Sequence, residues 1–78
     1  MMEWNEMFKL LGPLSKSIRQ IDKGYSIVFK NRTIFQFKDF SMEVSSIDLF
    51  NDRMVLLSGE TVKLVPKDQW EQVKYIVF

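Results

Sequence analysis

Four consecutive apolar residues, Met54-Val55-Leu56-Leu57, lie between two tight-turn signals, and that framing limits the folds open to the chain. Asn51-Asp52 suits a two-residue hairpin turn joining Val44–Phe50 to Arg53–Ser58, a register that sets Ile47 opposite Leu56 and Leu49 opposite Met54. Gly59-Glu60 offers a type II′ turn into Thr61–Val65, which sets Leu57 opposite Val62 and Val55 opposite Leu64. Side chains alternate along a strand, so the middle strand is apolar toward one neighbour on one face and toward the other neighbour on the opposite face. A half-solvated strand is polar on one side; this one has the pattern of a strand covered on both.

The period of two extends upstream. Tyr25–Lys30 and Thr33–Lys38 are rich in β-branched and aromatic residues and read as a hairpin around Asn31-Arg32. A loop with an odd number of residues places Tyr25, Ile27 and Phe29 on the same face as Phe35 and Phe37, a single aromatic surface expected to be core. Asn31-Arg32-Thr33 has the form of a glycosylation sequon but is read as this turn. Before Tyr25 the spacing is helical. Trp4, Met7, Phe8, Leu11, Leu14, Ile18 and Ile21 recur every three or four residues, which predicts a helix over the first twenty residues, kinked or restarted at Pro13. Beyond Pro66, the capping-box spacing of Asp68 and Glu71 and the repeat Trp70, Val73, Val77 predict a C-terminal helix from about Lys67. Residues 73–78 also alternate well enough to form a strand.

The expected architecture is therefore α+β in one domain, residues 1–78: an N-terminal kinked helix, an antiparallel meander of about five strands and a C-terminal helix. A small β-barrel with flanking helices is the alternative. With 78 residues the core is small, and a chain this short has few residues with which to cover two apolar sheet faces.

Composition narrows the chemistry. The chain has no His and no Cys, so neither a Cys–His nor a Ser–His–Asp arrangement can form, and the usual ligands of zinc, thiolate clusters and haem are missing. Its Asp and Glu residues are scattered, with no calcium-loop pattern, and there is no Gly-rich phosphate loop. No enzyme activity, cofactor or metal is expected. The opening Met-Met-Glu-Trp-Asn-Glu is acidic where an export signal is basic, and no apolar run approaches the roughly 20 residues of a membrane span, so a cytoplasmic protein is expected.

Three surfaces carry more than folding requires. The second apolar face of the sheet includes Val28, Ile34, Phe50, Val55, Leu57 and part of Val65, and is either covered by a terminal helix or an interface with a larger protein or a second copy. A basic strip, Lys16, Arg19, Lys23, Lys30, Arg32 and Lys38, holds six bases against Asp22, a local balance of +5 in a chain of net charge +1. Such asymmetry suits a nucleic-acid face, although on a folded domain it also makes an ordinary solvated surface. The last four residues, Tyr-Ile-Val-Phe, must be buried or paired. These features lead to the expectation of a non-enzymatic binding protein that occupies a surface on a larger protein partner as a modulator, inhibitor or assembly factor, of the bacterial or phage accessory kind. Nucleic-acid binding through the basic strip and a structural homodimer are the alternatives.

Overall fold

A computed structural model describes all residues, Met1–Phe78. The chain forms helix α1 (Trp4–Leu11), a 3-10 turn (Gly12–Leu14), strands β1 (Ser15–Ile21), β2 (Gly24–Gln36), β3 (Ser41–Phe50), β4 (Arg53–Ser58) and β5 (Thr61–Pro66), a 3-10 helix (Lys67–Gln72) and strand β6 (Lys74–Val77). All strand pairs are antiparallel, in the order β1-β2-β3-β4-β5, with β6 beside β2. The result is a small, mostly stranded α+β fold. The sheet stays open, because β5 pairs only with β4, so the barrel alternative does not hold.

The second half follows its turn chemistry. Ile47 pairs with Leu56 and Leu49 with Met54 across β3 and β4, while Leu57 pairs with Val62 and Val55 with Leu64 across β4 and β5. The first half departs from the expected pattern in two places. The helix ends at Leu11 rather than near Ile21. Pro13 lies at the start of the 3-10 turn, and the Ser15 hydroxyl donates to the Gly12 carbonyl at 2.6 Å, which closes that turn and releases the chain into β1. From there the β-branched Ile18 and Ile21 and the flanking Ser, Arg and Gln residues satisfy their backbone groups by pairing with Gly24–Phe29 of β2.

The expected hairpin at Asn31-Arg32 is also absent: β2 runs on through it for 13 residues. Val28 pairs with Ser46 and Thr33 with Val44, so residues 29–32 of β2 face only Ser45 of β3 and are absorbed as a bulge. Extended, 13 residues span about 40 Å, longer than any axis of a molecule measuring 27 × 27 × 23 Å, and the bulge lets the strand curl with the sheet. Its two halves have different outer neighbours, β1 on Gly24–Phe29 and β6 on Thr33–Gln36. Ile27, Phe29, Phe35 and Phe37 do share one buried face, through a continuous strand and not through a loop of odd length.

The expected C-terminal helix is a 3-10 helix followed by β6. Trp70, fully buried, anchors the 3-10 segment, and its indole N–H donates to the Val65 carbonyl at 3.1 Å. That places the C-terminal 3-10 helix and α1 on the same side: Met7, Leu11 and Trp70 join Ile27, Phe35, Ile47, Leu49, Met54, Leu56 and Val65 in one core. No terminal element is left for the other face of the sheet. No helix is long and apolar enough to cross a membrane.

Candidate functional site

The uncovered face can be read from the register. Met54 and Leu56 are fully buried, so Val55 and Leu57 between and beyond them point to the opposite side. Two rows of paired residues cross this outer face. One runs Leu64, Val55, Asp48, Ser26, Arg19, and the other Val62, Leu57, Ser46, Val28, Ser17. The rows are apolar at the β4–β5 end and, Val28 apart, polar beyond it. Val62 is 62% exposed and Leu64 53%, with Val55 and Leu57 half-buried beside them.

Of the residues singled out from the sequence, Val55 and Leu57 form the centre of this patch. Val28, 37% exposed, lies in the same row but on the far side of Ser46. Phe50 sits at the turn end of the sheet over Gly24, with the Arg53 guanidinium 4.3 Å from its ring centre. Ile34 belongs to a second patch past the bulge, paired with Glu43 on one side and with the exposed Ile76 on the other. Val65 is not on this face at all. It pairs with Met54 and is fully buried in the core. The residues missed are Val62 and Leu64, the most exposed of the patch; their expected partners, Leu57 and Val55, already placed them on this face.

The C-terminal residues pair without being buried. The backbone of β6 is taken up by β2 and the Phe78 N–H donates to the Arg32 carbonyl at 2.9 Å, yet Ile76 remains 47% and Phe78 62% exposed.

The six basic residues are all exposed but not gathered. Lys16 sits at the irregular step of β1, Arg19 on the outer face, and Lys30 and Arg32 in the bulge of β2. Lys23 and Lys38 lie off opposite ends of β2. Arg32 is already engaged: its Nε–H donates to Glu43 at 2.7 Å and its guanidinium lies 5.1 Å from the Phe78 ring centre. No three Asp or Glu residues come together as metal ligands would.

The chemistry of the outer patch is that of desolvation. Four aliphatic side chains on two short strands offer no nucleophile, acid or base. Covering what remains exposed of Val62 and Leu64 is worth about 1 kcal/mol each. Comparison with protein families, with curated proteins and with solved structures finds no match for the chain.

Proposed function

We propose that this chain is a non-enzymatic binding protein that works in the cytoplasm by laying the outer face of β4 and β5 against an apolar surface of a larger protein partner, as a modulator, inhibitor or assembly factor. The observation that carries the reading is the contiguous set Val55, Leu57, Val62 and Leu64 on a face that no element of the chain covers. A standard interface takes about 800 Å² from each partner, roughly a sixth of the 4960 Å² surface of this molecule.

The test is the double variant Val62→Asp, Leu64→Asp. Both side chains are solvent-exposed, so the fold is expected to persist with a circular dichroism spectrum like that of the wild type. A partner captured by the wild-type chain from its source lysate and retained at high salt should be lost with the variant. Retention of the same partner by the folded variant overturns the reading. Light scattering over a concentration series separates the homodimer alternative, in which wild type self-associates and the variant does not. Nucleic-acid binding through the dispersed bases would instead survive the variant and fall steeply with salt.

A further inference from the structure

Gly24 pairs with Phe50, which brings the β1–β2 turn and the β3–β4 turn to the same end of the sheet, close to the start of α1. A cleft of about 260 Å³ opens there, with Trp4, Tyr25 and Phe50 as apolar walls and Gln20, Lys23 and Asn51 as polar ones. We propose that this cleft receives an extended, proline-bearing segment of the protein partner, an inference that rests on the protein-binding reading above and names the chemistry of what is bound.

The aromatic walls are set before any ligand arrives. Trp4 stacks on Tyr25 with ring centres 6.1 Å apart and planes at 18°, and Phe8 braces both rings edge-on, at 6.1 Å from Trp4 and 5.1 Å from Tyr25. Trp4 is nevertheless 36% exposed. The polar walls have hydrogen-bonding capacity to spare, because the side chains of Gln20, Lys23 and Asn51 make no hydrogen bond or ion pair within the protein. Lys23 is also the one non-glycine residue at positive φ, 64°, so a strained turn is kept at the mouth of the cleft.

Local charge selects among ligands. Lys23 adjoins Asp22, and Arg53 donates to Asp52 at 2.8 Å in the groove next to the cleft, so the surroundings are close to neutral. A phosphate backbone gains little in such a place. The volume is below the 300–1,000 Å³ common for drug-sized ligands and suits one or two small rings rather than a cofactor. A polyproline II segment meets each condition. Its pyrrolidine rings pack on aromatic side chains, its carbonyls accept from ammonium and amide groups, and it brings few N–H groups of its own to satisfy. Its stiffness also lowers the ordering cost of binding.

The full chain, labelled with ¹⁵N, is titrated to millimolar concentrations with a capped decaproline peptide, a capped Gly-Ser peptide of equal length and an oligothymidylate. Decaproline alone should give saturable shifts at the Trp4 indole N–H, Gly24 and Asn51. Trp4→Ala should weaken binding about tenfold, and Asn51→Ala, in an exposed turn, should weaken it several-fold should the first variant fold poorly. No shift with decaproline, an equal response to either comparison ligand, or shifts confined to β5 overturns the proposal. The two readings fail separately: a partner lost with Val62→Asp, Leu64→Asp but held at wild-type strength by folded Trp4→Ala chains that no longer bind decaproline removes the cleft and leaves the outer face, whereas a partner kept by Val62→Asp, Leu64→Asp and lost with Trp4→Ala removes the outer face and leaves the cleft.

Discussion

Two adjacent residues in the β1–β2 turn make opposite demands on the backbone. Gly24 has no room for a side chain: a Cβ there would run into the Leu49 carbonyl oxygen and lie 2.8 Å from Phe50 Cδ1. Since the first obstacle is backbone on a paired strand, Gly24→Ala is expected to destabilise by about 2 kcal/mol, read as a lower urea midpoint at unchanged slope. Lys23, by contrast, holds a φ of 64° that costs an L-residue about 1–2 kcal/mol. Lys23→Gly removes that strain and adds unfolded-state entropy of roughly 0.5–1 kcal/mol. The net expectation is unchanged or slightly raised stability, and a drop of more than about 1 kcal/mol in the same denaturation experiment would show that the Lys side chain itself holds the turn. Trp70→Ala should be the most damaging single change, at about 3–5 kcal/mol, because it empties the core and leaves the Val65 carbonyl without its indole donor.

At the level of elements, what could be read from the sequence follows the distance over which each instruction acts. Asn51-Asp52 and Gly59-Glu60 specify turns between strands that are neighbours in sequence, and the registers of β3, β4 and β5 come out as those turns require. Asn31-Arg32 looks equally like a turn, but β3 runs beside both halves of β2 and holds it extended, so the local preference becomes a bulge. The helical phase of Ile18 and Ile21 is likewise overridden once Pro13 and the Ser15 cap have stopped the helix. The ambiguous end, Val73 to Phe78, is resolved by a vacant stretch of β2 edge, to which no short-range pattern in that segment refers. The candidate face was half legible for the same reason. Val55 and Leu57 sit in the well-specified hairpins, whereas the cleft depends on α1 meeting two distant turns, and from sequence Trp4 is one residue of a helical apolar stripe.

For the whole molecule, the decisive fact is that α1 and the C-terminal 3-10 helix, the only two elements not in the sheet and longer than one turn, share one face. The other face is left with aliphatic residues at its β4–β5 end. The double variant Val62→Asp, Leu64→Asp should therefore change unfolding free energy by no more than about 0.5 kcal/mol while removing binding, a separation that denaturation and capture together can measure. Since these two residues also sit on the free edge strand, the variant should raise solubility at high protein concentration. The division of β2 between two outer neighbours carries a different consequence, one of time. Residues 33–36 must find residues 74–77 from across about half of the chain, whereas the turns joining β3, β4 and β5 close over two residues. Long loops close late and a four-residue, exposed strand reopens cheaply, so β6 should be the last strand to dock and the first whose amides exchange with solvent, while β3, held on both sides, keeps its protons longest.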